Sequence, residues 1–221
     1  GGYPEAVLAT SPTAKRDLLR QLVADYLLRD IFAQVNVNQQ GLQDLLRLVA
    51  FQIGSEVSLH ELSNTLGMDV KTVDRYLGFL EDAFVIRRLS GFSRNLRKEV
   101  GKSRKIYFLD MGIRNAMLDA FAPPGQREDI GRLWENYCFI ERLKRLDHDG
   151  EQARHWFWRT YDRQEIDLIE ESGDGTGLRA IEFKWNPSKR RQKLPKLFFE
   201  TYPHAERVVV TPNNVEDFLI R

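Results

Sequence analysis

Leu178-Arg179-Ala180-Ile181-Glu182-Phe183-Lys184-Trp185 reads as a strand with chemistry on one face. Alternate side chains of a strand share a face, so Glu182 and Lys184 point one way while Ile181, Phe183 and Trp185 point the other. A carboxylate and an ammonium therefore leave an otherwise buried strand together. Two earlier strand signals, His155-Trp156-Phe157-Trp158 and Glu165-Ile166-Asp167-Leu168-Ile169, are joined by a polar turn through Tyr161-Asp162-Arg163-Gln164. Before them, Gly131 to Leu146 reads as a helix apolar almost all round its first half, the pattern of a buried helix. After them, a helix with Leu194, Leu197, Phe198 and Phe199 leads to Arg207-Val208-Val209-Val210-Thr211, a short apolar run of the kind inner strands carry. Helix, strands, helix and strand predict a mixed α/β domain over residues 122–221, entered through the linker Ala122-Pro123-Pro124-Gly125-Gln126.

The acids of this region need compensation. Asp167 stands between apolar Ile166 and Leu168, and Glu135 sits in the buried first part of the opening helix. Burying a carboxylate is costly unless a partner offsets it. Mg²⁺ (or Mn²⁺) would do so, because it takes hard oxygen ligands and is held through a couple of carboxylates plus water and substrate phosphate. Glu135, Asp167 and Glu182 are the candidate ligands. Lys184, Asp167 and Glu182 are the candidate catalytic set, Lys184 orienting water or neutralising phosphate. The competing reading is an internal ion-pair network that ties helix to sheet. Tyr137 is expected in the core and Arg159 in a salt bridge. Trp156 and Trp158 are assigned to sheet packing.

Residues 1–40 form a helical segment, with Leu18, Leu19, Leu22, Val23, Tyr26, Leu27 and Ile31 at helical spacing. A second helix carries Leu42, Leu45, Leu46, Val49 and Ile53 and ends at Gly54. Ser58-Leu59-His60-Glu61 has the form of a capping box, Gly67 closes that short helix, and Asp69 can cap a third with Val73, Tyr76, Leu77 and Leu80. Phe84-Val85-Ile86 and Lys105-Ile106-Tyr107-Phe108-Leu109 then read as a hairpin. Three helices and a hairpin are the order of a winged helix-turn-helix, placed at residues 41–121. Lys71, Thr72 and Arg75 on the third helix are candidate groove residues. From Arg87 to Lys105 the chain holds Arg87, Arg88, Arg94, Arg97, Lys98, Lys102, Arg104 and Lys105 against Glu99 alone. Of these, Arg94, Arg97, Lys98, Lys102 and Arg104 are the candidate phosphate contacts of a wing. Lys189, Arg190, Arg191, Lys193 and Lys196 form a second basic run, which reads equally as a phosphate clamp or a solvated face. DNA is the expected partner, and a protein partner for the wing stays open.

Composition excludes several classes. The 221 residues carry a net charge of +1, so any nucleic-acid argument is local. One cysteine, Cys138, rules out a disulfide framework within the chain and is expected to be a core thiol. His60, His148, His155 and His204 show no zinc-ligand spacing. No apolar run approaches the roughly 20 residues of a membrane span, and the first residues lack the form of a signal peptide. No membrane and a cytoplasmic location are expected, and a homo-oligomer is left open.

Glu135 on a helix, Asp167 on a strand and Glu182-Phe183-Lys184 on the next strand resemble the PD-(D/E)xK nuclease superfamily. Gly1-Gly2-Tyr3-Pro4-Glu5-Ala6, the Tyr26 to Ile31 segment, Tyr107-Phe108-Leu109-Asp110-Met111-Gly112, Glu135-Asn136-Tyr137, Phe157-Trp158-Arg159-Thr160, Glu165-Ile166-Asp167 and Ile181-Glu182-Phe183-Lys184 together resemble the C-terminal half of prokaryotic AAA+-like ATPases. The resemblance implies a restriction-endonuclease-like second domain and an ATPase core preceding this chain, with ATP bound only in that preceding part. Gly101-Lys102-Ser103 is no P-loop, since position 96 is Leu where a glycine is required. Two functions follow as expectations: a Mg²⁺-dependent phosphodiesterase delivered to DNA by the winged helix, or a module that recognises nucleic acid or protein without cutting and reports to the ATPase.

Overall fold

Apolar spacing over residues 42–80 becomes buried helix faces in the structure, a computed structural model that describes residues 1–25, 38–92, 104–160, 162–186 and 194–220. Arg94, Arg97, Lys98 and Lys102 of the expected wing lie outside the described residues. The same holds for Tyr161, for the whole Tyr26 to Ile31 segment and for Lys189, Arg190, Arg191 and Lys193. The fold is mixed α/β with two sheets. The chain divides into two units, Gly1–Arg88 with Ile106–Arg127, and Leu89–Lys105 with Glu128–Arg221.

The first unit contains α1 (Pro4–Leu8), α2 (Pro12–Leu22), α3 (Gln39–Phe51), β1 (Glu56–Val57), α4 (Leu59–Leu66), α5 (Val70–Asp82), β2 (Ile86–Leu89), β3 (Arg104–Phe108) and α6 (Met111–Met117), the outer ends of β2 and β3 running on into the second unit. Leu42, Leu45, Leu46 and Val49 of α3 are buried with Leu62 of α4 and Val73, Tyr76, Leu77 and Leu80 of α5. Local chemistry sets the helix ends. Asn38 accepts the Gly41 N–H at 3.2 Å, and Asp69 accepts the Lys71 N–H at 2.8 Å. Gly67, at φ 62°, takes the left-handed turn that ends α4. Ser58 stands at the N-cap of α4 without a side-chain cap bond, so the expected capping box does not form; the helix is anchored by buried Leu62 instead. The expected hairpin is part of a three-stranded sheet in the order β1-β3-β2.

Two distant motifs meet in this unit. Asp110 caps α6 by accepting the Ile113 N–H at 2.9 Å, and its second oxygen accepts the Gly2 N–H at 2.5 Å. A side chain at Gly112 would lie 2.7 Å from the Gly1 backbone, so this close approach needs a glycine. Asp110→Ala is expected to cost about 1–2 kcal/mol, the usual loss on removing a cap. A thermal melt reads it, and an unchanged midpoint would show that neither bond stabilises the unit.

The second unit contains α7 (Ile130–Asp149), β4 (Ala153–Arg159), β5 (Glu165–Ser172), β6 (Leu178–Phe183), α8 (Lys196–Thr201), β7 (Glu206–Val210) and α9 (Val215–Ile220). Its sheet runs β4-β5-β6-β7, the first three strands antiparallel and β7 parallel to β6. The valine run of β7 is therefore at the sheet's end and not an inner strand, with Val209 45% exposed. Three valines report a preference for pleated backbone, which an edge strand satisfies as well as a central one. Phe198, Phe199, Ile166, Ile169 and Ala180 form a core against which Trp156 and Trp158 pack. Trp156 meets Phe92 edge-on at 5.2 Å and Trp158 meets Phe198 at 5.4 Å, the sheet packing expected of both.

Within the same unit, Arg142 of α7 binds both oxygens of Glu170 at 3.0 Å. Arg179 adds a bond at 3.0 Å and His155 a contact at 3.3 Å. Arg142 and Glu170 are both buried. Cys138 is a buried free thiol, and burial pushes its pKa far above the usual range. Tyr137, expected in the core, is 38% exposed and stacks on Trp134 at 5.8 Å. It lies on the Tyr137, Glu141, Lys144 stripe of α7, whose i, i+4, i+7 spacing faces solvent. Among the described residues no helix is long and apolar enough to cross a membrane.

Candidate functional site

Strand pairing places the acids side by side. Leu168 of β5 stands opposite Ile181 of β6, and the next residues along the two strands are Asp167 and Glu182. β5 also advances from Ile166 to Ile169 while β4 advances only from Trp158 to Trp156, so β5 bulges at Asp167 and Leu168. Bulges re-aim side chains at the ends of sheets. Here the Asp167 carboxylate turns to accept the Phe183 N–H at 2.8 Å, while the Lys184 N–H goes to the Val210 carbonyl at 2.8 Å.

Glu182 is 8% exposed. One of its oxygens accepts from Lys184 Nζ at 2.5 Å, and the other, Oε2, is buried and has no hydrogen-bond partner among the described residues. Phe183 packs against Phe218 at 5.9 Å, and Trp185, beyond the end of β6, meets Trp134 at 5.5 Å and lines the same cleft as Lys184. Glu135 of α7, Asp167 and Lys184 line one open cleft of about 780 Å³, together with Arg132, Trp185 and Asn186. The cleft thus collects three of the four expected site residues, and Glu182 joins them through Lys184.

The electrostatics follow from this crowding. Burial, and then the neighbouring Asp167, raise Glu182 from 4.5 to about 7 against the pull of Lys184. Burial also works against the Lys184 ammonium, but Asp167, Glu182 and Glu135 outweigh it and hold Lys184 above the usual lysine value. The folded state thus binds a proton at Glu182 more tightly than the unfolded chain does. The stability this gives is complete below pH 4.5 and is lost as pH rises through about 7. Glu182→Gln, which cannot ionise, should therefore stabilise the metal-free protein more at pH 8 than at pH 5, by about 1–3 kcal/mol. Denaturant midpoints at the two pH values measure this, and equal shifts at both would remove the buried charge from the account.

Other side chains fall differently from expectation. Lys105, counted in the wing's basic field, is buried, with ion pairs to Glu135 at 2.9 Å and Glu165 at 2.6 Å. Arg88 pairs with Glu81 at 2.7 Å and Asp74 at 2.8 Å. Both cations serve internal carboxylates. Lys71 and Arg75 are exposed on α5, with Thr72 partly so, and Arg104 at the start of β3 is partly exposed. Glu135 is thus held by a lysine, and among the described residues no three His, Cys, Asp or Glu side chains stand as a ready metal cage. Sequence reasoning missed Arg132 and Asn186. Arg132 had a usable signal, since it precedes Glu135 by three residues on a helix and must share its face.

A mixed α/β protein with an acid-and-lysine cleft in its second unit is the class that fold and site define. Residues 1–123, more than half of the chain, match the family called Domain of unknown function (DUF8612), and the chain belongs to that family. Residues 130–219 match a second family, Domain of unknown function (DUF4143), a domain found in AAA-ATPase-associated proteins. The chain is similar to the uncharacterized protein Rv2008c of Mycobacterium tuberculosis, with 29% identity over 80% of this chain and 40% of the relative. It is also similar to the uncharacterized protein MJ1544 of Methanocaldococcus jannaschii, with 26% identity over 88% of this chain and 42% of the relative. The chain spans about two fifths of the length of these relatives. No solved structure matches it.

Proposed function

We propose that the second unit is a metal-dependent phosphodiesterase domain of the PD-(D/E)xK type that acts on DNA. The observation that carries this reading is Glu182, a buried carboxylate with one oxygen on Lys184, the other without a hydrogen-bond partner among the described residues, and Asp167 beside it. Such an oxygen suits a hard cation, and hard cations take carboxylate ligands. Asp167 and Glu182 would hold Mg²⁺ or Mn²⁺, with Glu135 joining once it exchanges its contact with Lys105. A divalent ion bound there supplies charge for a developing phosphorane and lowers the pKa of water. Lys184 positions that water or meets the phosphate, and Trp134 and Phe183 keep the sheet behind the cleft apolar. The order of α7, three antiparallel strands, α8 and a parallel strand supports the same assignment.

The first unit, in this proposal, carries a winged helix-turn-helix formed by α3, α4, α5 and the β1-β3-β2 sheet, with Lys71, Thr72 and Arg75 toward DNA. An AAA+-like ATPase core would make up much of the remaining length of the whole protein and bind its ATP. The second reading, recognition without cutting, draws support from the Lys105–Glu135 and Lys184–Glu182 pairs, which already give the acids partners.

Calorimetric titration with Mg²⁺ or Mn²⁺ separates them. Wild-type protein should bind, Asp167→Ala and Glu182→Ala should not, and the binding protein should cut plasmid or oligonucleotide DNA. Absence of heat with either ion, and of cutting with any divalent metal, would leave the carboxylates structural.

A further inference from the structure

Two groups lining the cleft have no part in metal binding, Trp185 and Arg132. Trp185 is 37% exposed and meets Trp134 edge to face at 5.5 Å and 63°. Trp134 is itself nearly buried, stacks on Tyr137 at 5.8 Å, and donates its indole N–H to the Val210 carbonyl at 3.5 Å. The Trp185 ring thus packs on a buried aromatic while it also lines the cleft. Arg132 is exposed on α7, one turn from Glu135, and among the described residues no carboxylate pairs with it. Lys184 stands in the same cleft, next in sequence to Trp185.

We propose that this cleft takes an unpaired nucleotide, its base stacked on Trp185 and its backbone phosphate held between Arg132 and Lys184. A base inside a duplex is stacked on its neighbours and offers no face to a protein ring, so a stacking shelf selects single strands, frayed ends or extruded bases. Size agrees, since about 780 Å³ is the scale of a cleft for one small ligand and holds only one or two nucleotides. The inference rests on the nuclease-type reading for where the phosphate sits, and it adds the substrate class of that site.

The test uses the full chain in EDTA, and again in Ca²⁺, with fluorescein-labelled oligo-dT, oligo-rU and a blunt DNA duplex, read by anisotropy. Trp185→Ala should weaken strand binding about tenfold or more. Trp185→Phe, which keeps a ring, should retain most of it, and duplex affinity should stay unchanged in both variants. Arg132→Gln should lower the salt slope for strands by about 0.7, the signature of one lost phosphate contact. Strand affinity within twofold of wild type in Trp185→Ala, or an equal loss for duplex, would overturn the proposal. Strand binding that depends on Trp185 without any cutting in Mg²⁺ would retain the shelf and remove the catalytic reading. Cutting that ignores Trp185 would do the reverse.

Discussion

Glu170→Ala is expected to destabilise the second unit by about 3–5 kcal/mol, because it leaves a buried guanidinium without its carboxylate. Arg142 binds both oxygens of Glu170 at 3.0 Å, and both residues are buried, so the guanidinium loses its two charge-assisted bonds inside the protein. Arg179 loses its bond as well. In a unit of this size the loss should lower the melting midpoint by roughly 10 °C or more. The acid limb gives an independent check. Burial alone would raise the Glu170 pKa, but hydrogen bonds from His155 and Arg142 outweigh it and bring it down to about 2. A carboxylate whose pKa falls on folding contributes stability above its unfolded value of 4.5 and loses it as pH drops toward 2. Wild type should therefore lose stability across that window, and Glu170→Ala should lose less of it. Parallel acid curves would show that the charge of Glu170 is not what holds helix to sheet.

On the proposed phosphodiesterase reading, Lys184→Ala should lower DNA cleavage by about 10²–10³, the loss typical of removing one group that meets developing charge, while leaving divalent binding intact. The reason is geometric. Lys184 occupies one oxygen of Glu182, so removing it frees that oxygen for an ion and takes away a competing positive charge. Asp167→Ala, by contrast, should lose metal and cleavage together. The split between the two variants separates a residue that works on water or phosphate from one that holds the ion. If both lose metal binding alike, Lys184 only props up Glu182.

Much of the second unit could be read from its residues because alternation along a strand is set by backbone geometry. Ile181 is buried and Phe183 packs on Phe218 as alternation requires, but β6 ends at Phe183, so Trp185 falls outside the alternation and lines the same cleft as Lys184. Caps read well where a side chain makes the bond, as at Asp69, and poorly where it does not, as at Ser58. β1 has two residues, too few to carry a period, so the third strand of the first sheet left no signal. The bulge at Asp167 was invisible because it is a mismatch between two strands and not a property of either. Charge was the least reliable guide. Lys105 and Arg88 belong to a basic run by sequence, yet side-chain reach lets each bond an acid far along the chain, and only the fold reveals which acids are near. The cleft itself was half legible, its acids by their apolar neighbours, but Arg132 and Trp185 only once a common wall was visible.

The polypeptide passes between its two units three times, after Arg88, after Lys105 and after Arg127. The family boundaries near residues 123 and 130 suggest a bead-like arrangement that one cut could separate. A fragment starting at Glu128 would instead leave behind Gly91, which bridges Phe157, the Phe92 ring against Trp156, and the Lys105 ammonium on Glu135. Proteolytic nicking in the 89–105 excursion should accordingly yield pieces that stay associated under native conditions. Dissection of this protein for biochemistry is safer by point substitution than by truncation.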